Sequence, residues 1–233
     1  MINLLFDKIA IFEYIFEYFG HIADSFMKNK VVLETDWVLD FFEVKILDEN
    51  PILTNWINSK YTLDSIQIAF LEKLSKNYKH EGDAWNEEEL KVRFLAHILL
   101  IADMEVPNKI KTFLERNITA DYKDYTISVD VDLMMASTKG LNTPKKPYFF
   151  LQELKKGKKA ANDPEAQMLA AMLAAQLLND EVHAVFGGYV VGRFWFFAIL
   201  EGKNYTLSQA LDITKVADLQ QVIYCLRKIK EMI

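Results

Sequence analysis

The chain has 233 residues, 51% of them apolar, enough to bury a substantial core in one large domain or in a domain with an appendage. Its formal net charge of −6 argues against a protein coated throughout with phosphate-binding lysine and arginine. A single cysteine, Cys225, excludes an internal disulfide and a cysteine-built metal site, which fits a reducing cytosol.

The first eighty residues read as mainly helical. Leu5, Ile9, Phe12, Ile15, Phe16, Phe19, Ile22 and Phe26 recur at the spacing of one helical face, which predicts a long amphipathic helix over 3–28 that packs within the protein or in a homodimer. Asp7, Lys8, Glu13 and Glu17 interrupt its apolar run, so neither a signal peptide nor a membrane span is expected and the protein reads as soluble and cytoplasmic. Residues 35–47 join a cap at Thr35 or Asp36 to a β-like FFEVKI run and are assigned to a helix. A boundary at Pro51, a short helix over 55–59 and a longer one over 62–77 follow.

Residues 79–86, with Gly82 and alternating charges, form the expected boundary between an N-terminal helical accessory region, 1–83, and a second domain, 84–233. Asn86 can cap the next helix, with Glu87, Glu88 and Glu89 in its first turn against the positive end of the dipole. Its apolar body runs from Val92 to Ile101 and stops before Pro107. From Thr112 the pattern changes to β-like runs, including 122–131, 147–154 and two segments between 185 and 200. Between the second and third lies an alanine-rich helix over 163–178, where Asp163 caps and Pro164 suits the first helical position. The segment AVFGGYVVGRFWFFAIL reads as two strands turned near Gly192, with Trp195, Phe196 and Phe197 as sheet packing. A short element over 207–211 and an amphipathic helix over 214–232 close the chain.

From Lys139 to Lys159 there are seven lysines against one acid, while the remaining chain holds 20 basic and 32 acidic residues. A positive island thus sits on an acidic protein. An acid-x-Lys triplet occurs five times: Glu43–Lys45, Glu89–Lys91, Asp121–Lys123, Glu153–Lys155 and Glu201–Lys203. Only Glu153–Lys155 ends an apolar strand-like run, follows a strand with an acid 21 residues earlier, and precedes a helix with a well-placed glutamine. Side chains two apart on a strand share a face, so Glu153 and Lys155 project together, as do Asp130 and Asp132. Hard divalent cations prefer oxygen ligands, and Asp132, Glu153 and the Leu154 carbonyl could supply such a site, with Lys155 orienting the attacking water. The competing reading makes Lys155 and Lys156 the charged end of an edge strand, with Glu153 as their solvated partner. His21, His80, His97 and His183 show no metal-ligand spacing.

VDLMMAS, PYFFLQELKKGK, EAQMLAAMLAA and VFGGYVVGRFWFFAIL, in this order, resemble the PD-(D/E)xK nuclease superfamily. The resemblance covers about residues 86–200 and is nearest to small bacterial proteins similar to the amino-terminal nuclease domain of type I restriction enzyme R subunits. It implies an α/β restriction-endonuclease-like core, a mixed sheet of about four strands flanked by helices, that cuts DNA with Mg²⁺ or Mn²⁺. Asp132 takes the place of the first metal-binding acid, with Asp130 the same-face alternative, and Glu153 and Lys155 stand where the E-x-K pair stands. Gln167 matches the glutamine on the following helix, and Glu89 falls near an acid of the preceding one. Lys145, Lys146, Lys156, Lys158 and Lys159 would then offer phosphate contacts. The alternative is a catalytically inactive module of the same fold that binds a protein partner or nucleic acid.

Overall fold

The computed structural model describes residues 28–155, 163–180 and 183–232. The expected helix over 3–28, apart from Lys28, and the lysines Lys156, Lys158 and Lys159 lie outside the described residues.

Three hairpin-connected strands begin one side of a mixed sheet: β3 (Ile110–Tyr122), which pairs with β4 alone, β4 (Tyr125–Ser137) and β5 (Lys145–Lys155). The chain then crosses through helix α6 (Pro164–Leu178) and returns parallel to β5 as β6 (Val185–Val191), which turns back into β7 (Phe194–Glu201). Short strands complete the sheet: β1 (Asn29–Lys30) beside β4, β8 (Asn204–Leu207) and β9 (Leu211–Asp212) beside β7, and β2 (Lys45–Ile46) beside β8. Among the described residues the sheet has nine strands, more than the four expected. The excess comes from β3, read only as unassigned β-like sequence, and from short strands too brief to show a period.

Period-two alternation sends the strand residues to two separate cores. Phe150, Leu154, Phe186, Val190, Trp195 and Phe197 face one helical layer, built from α2 (Pro51–Ile57), α3 (Ser65–Glu81), α4 (Glu87–Leu90), α5 (Ala96–Ala102) and α7 (Val216–Met232). Leu151, Tyr189, Ala198 and Leu200 face the other layer, formed by α1 (Thr35–Phe42) and α6. Trp195 and Phe197 are sheet packing as expected, at 1% and 0% exposure, while Phe196 stacks on Tyr189 at the opposite face.

Helix α6 is apolar all round because it is covered by the sheet on one side and α1 on the other. Asp163 joins these layers: its Oδ1 accepts from the Glu165 and Ala166 N–H groups, and its Oδ2 from the Thr35 N–H and hydroxyl. The Thr35 hydroxyl therefore serves α6 instead of capping its own helix. α1 also stops at Phe42, where Glu43 turns left-handed at φ 56°, and the expected tail of that helix becomes β2. Gly187 in β6 permits close approach of α6, since a Cβ there would lie 2.5 Å from Met172 Sδ.

Other boundaries differ from the sequence reading as well: the short helix expected over 55–59 runs over Pro51–Ile57, capped by Asn50. The run over 122–131 straddles the β3–β4 hairpin, whose turn contains Lys123 at φ 53° and no glycine to announce it. The helix expected from 62 starts later, as α3, where Asp64 caps it in a reciprocal capping box with Gln67.

Candidate active site

Antiparallel register aligns the acids. Leu133 on β4 pairs with Gln152 on β5, so one step further Asp132 stands opposite Glu153. Glu153 pairs in turn with Tyr189 on β6, and Tyr189 with Phe196 on β7. On the other side of β4, Glu115 occupies the position facing Asp132, between the pairs Leu114–Leu133 and Arg116–Val131. One row across the sheet thus reads Glu115, Asp132, Glu153, Tyr189, Phe196, with neighbours about 4.8 Å apart in the strand-to-strand direction. Three carboxylates in succession along such a row repel one another unless cations intervene.

Two lysines do so. Lys155 Nζ lies 2.7 Å from Glu153 Oε1, the same-face pair that the strand period predicts. Lys91 Nζ lies 2.8 Å from Asp132 Oδ1, is hydrogen-bonded to Glu115 Oε1, and is 3.5 Å from Glu87 Oε1. Glu87 also approaches Lys155, at 3.9 Å. The Leu154 backbone N–H donates to Asp132 Oδ2 at 2.7 Å, so β5 clamps the β4 acid through its main chain.

Local structure explains how these groups converge. Asn86 caps α4 by accepting from the Glu89 N–H, while Glu89 Oε2 accepts from the Asn86 N–H. That box fixes the first turn and carries Glu87 and Lys91, four residues apart, on one helical face. At Lys91 the helix widens into a π-turn, Lys91–Leu95, before resuming as α5. In β3, Glu115 holds φ 50°, a left-handed conformation uncommon for a residue with a Cβ. Beyond Asp132 the core-facing set of β4 changes parity: Ile127, Val129 and Val131 join the α6-side cluster, as do Met134 and Ala136, while Leu133 and Met135 join the other.

This change of parity separates the two β4 acids. Asp132 is buried, whereas Asp130 is exposed and accepts from Asn117 Nδ2 at 2.9 Å. Glu153 is 2% exposed, and its Oε2 has no hydrogen-bond partner among the described residues. Burial, reinforced by the charge of Asp132, pushes the Glu153 carboxyl up to about 7 despite the opposing ammonium of Lys155. Burial lowers the Lys155 and Lys91 ammonium groups, but their hydrogen bonds to Glu153 and to Asp132 and Glu115 outweigh it, leaving both raised.

The remaining expected residues fall in three places. Gln167 is buried on the first turns of α6, the helix that covers β5, and its Oε1 has no partner among the described residues. Glu89 is used by the capping box and pairs with Arg93 at 3.3 Å; Glu87 is the α4 acid that turns toward the site. Lys145 and Lys146 open β5 while Lys155 closes it, about 30 Å away at the usual rise of a strand, so the structure does not bring them to the acids. Lys146 instead pairs with Asp180.

Lys91, Glu115 and Glu87 carry no role at the site in the sequence reading, where Glu87 serves only the helix dipole. Lys91 had a signal, as the end of one of the five triplets and the i+4 partner of Glu87. Glu115 had none, because a left-handed residue within a strand leaves no trace in hydrophobic period.

The arrangement suits a hard cation. Glu87, Glu115, Asp132 and Glu153, when ionised, oppose two ammonium groups, which leaves two negative charges for a divalent ion to balance. The Glu153 oxygen that no described residue partners is a ready ligand. Among the described residues no three His, Cys, Asp or Glu side chains converge as a ligand set, so such an ion would draw on two carboxylates and water, a common arrangement for magnesium. No protein-family model matches the chain, and no curated protein matches it.

Proposed function

We propose that the chain is a divalent-metal-dependent nuclease of the PD-(D/E)xK type that hydrolyses DNA phosphodiester bonds. The observation that carries this reading is the buried pair on neighbouring strands: Asp132 opposite Glu153, one Glu153 oxygen on Lys155 and the other without a partner among the described residues. A mixed sheet with helices on both faces, holding the acids on adjacent strands, agrees with what the resemblance to that superfamily implies.

In this reading Asp132 and Glu153 hold Mg²⁺ or Mn²⁺. The metal supplies charge for the scissile phosphate and lowers the pKa of a bound water. Lys155, anchored by Glu153, presents an N–H donor to the attacking water and offsets charge that develops on the phosphate. The Leu154 N–H fixes the Asp132 carboxylate, so the acid enters the reaction already oriented. Gln167 borders the site from α6.

The test is incubation of the protein with plasmid DNA and Mn²⁺, beside Asp132→Asn, Glu153→Ala and Lys155→Ala. Each variant is expected to lose about 100-fold or more in cleavage rate. Cleavage that persists unchanged in all three removes these residues from the mechanism.

A second reading has its own observation. Asp132 and Glu153 are each already paired with an ammonium group, and the expected phosphate-binding Lys145 and Lys146 lie at the far end of β5. An inactive module of the nuclease fold, binding a protein or nucleic acid, would keep these ion pairs permanently closed. Absence of Mn²⁺ binding by calorimetry, together with DNA binding that does not respond to salt, would favour it.

A further inference from the structure

The least expected feature of the site is the position of Lys91. Its ammonium sits between Asp132 and Glu115, bonded to both, with Glu87 3.5 Å away, and its side chain is 13% exposed. That place between two carboxylates is where a second positive ion would gain most from the acid row. Lys91 is also held by two unusual pieces of backbone: it opens the π-turn, and Glu115 takes a left-handed φ where it meets the ammonium. Returning one residue of a π-turn to α geometry rotates a side chain by roughly 100° about the helix axis, which gives Lys91 a short route away from Asp132.

We propose that the Lys91 ammonium is a resident cation that competes with a divalent metal ion for Asp132, so that loading the site requires Lys91 to leave that carboxylate. The inference rests on Asp132 and Glu153 being metal ligands. Lys91 then sets the metal affinity of the protein and keeps the buried acid row partly neutral before metal arrives. Glu153 Oε2, which has no hydrogen-bond partner among the described residues, is the point of first capture.

The experiment is calorimetric titration of Mn²⁺ into the unaltered 233-residue protein, Lys91→Met and Lys91→Arg, at fixed pH and ionic strength, with thermal unfolding to confirm that each variant folds. Lys91→Met is expected to bind Mn²⁺ about tenfold more tightly or better, and Lys91→Arg, which keeps the charge, within about threefold of the parent. Equal or weaker binding by Lys91→Met, with the parent still binding, overturns the competition and leaves the metal site standing. Binding by neither protein removes the metal site and the competition together. The unaltered protein gives an independent measurement if Lys91→Met does not fold. Lysine side-chain ¹⁵N resonances followed during Mg²⁺ titration should show Lys91 leaving its hydrogen bond, and an unmoved Lys91 signal in metal-bound protein overturns the proposal.

Discussion

At the scale of single residues, Glu153 is an acid held out of water, 2% exposed. Burial and the Asp132 charge raise its carboxyl from 4.5 to about 7, so the folded protein binds its proton more tightly than the unfolded chain. The sign follows: stability contributed below the unfolded value is lost as pH rises through 7, and the contribution is constant above that. The difference is about 3 kcal/mol. Glu153→Gln abolishes this dependence, so the stability of the parent minus that of the variant should fall by about that amount between pH 4 and pH 8, measured by urea unfolding. A constant difference across that range would show that Glu153 titrates normally in the folded state. Asp132 is secured differently, by the Leu154 N–H and Lys91, which is why the two acids of one row serve as an anchored group and a responsive one.

At the scale of elements, the helix from Glu87 is the part that brings charge to the sheet. Its start is set by the Asn86–Glu89 box, and its first turn aims Glu87 and Lys91 at β4 and β5. Asn86→Ala should cost about 1 kcal/mol in thermal or urea unfolding, within the usual range for loss of an N-cap. No loss would mean that the packing of Leu90 and Phe94 alone positions the turn. The five acid-x-Lys triplets also sort by element. Glu43 pairs with Lys203, joining two of them across α1 and the β7–β8 turn, and Asp121 pairs with Lys28. Glu89 and Lys91 point in different directions on their helix, Glu89 to Arg93 and Lys91 to Asp132. Glu153–Lys155 alone is a pair within its own triplet, because its strand places both side chains on one buried face.

At the scale of the molecule, residues on both sides of 79–86 contribute to one hydrophobic cluster, with Leu53, Trp56 and Leu71 beside Phe150, Phe186 and Val222. Trp56 is central to it: fully buried, it meets Phe150, Phe186 and Phe197 edge-on and donates its Nε1–H to the Cys225 carbonyl at 2.7 Å. Trp56→Ala should destabilise by about 3–5 kcal/mol, since it leaves a large cavity and removes the hydrogen bond to the Cys225 carbonyl. Near- and far-ultraviolet circular dichroism should lose signal in a single shared transition. Two separate transitions would show that the helices around Trp56 unfold apart from the sheet. Among the described residues no helix is long and apolar enough to cross a membrane.

Local chemistry was legible from the chain. Asp163 and Pro164 announce α6, Asn86 announces α4, Gly192 announces the β6–β7 turn, and the period of two puts Glu153 and Lys155 together. Each depends on residues within a turn or a strand step of one another, where side-chain type dictates backbone geometry directly. Tertiary structure alone decided that Asp132 and not Asp130 is buried, because the choice follows from the parity change in β4 opposite the left-handed Glu115. It also decided that Lys91 would meet Asp132 from a helix 41 positions away in the sequence and that Lys145 would not. Those outcomes depend on strand register and on which helix covers which face, quantities summed over the whole sheet and written in no single motif.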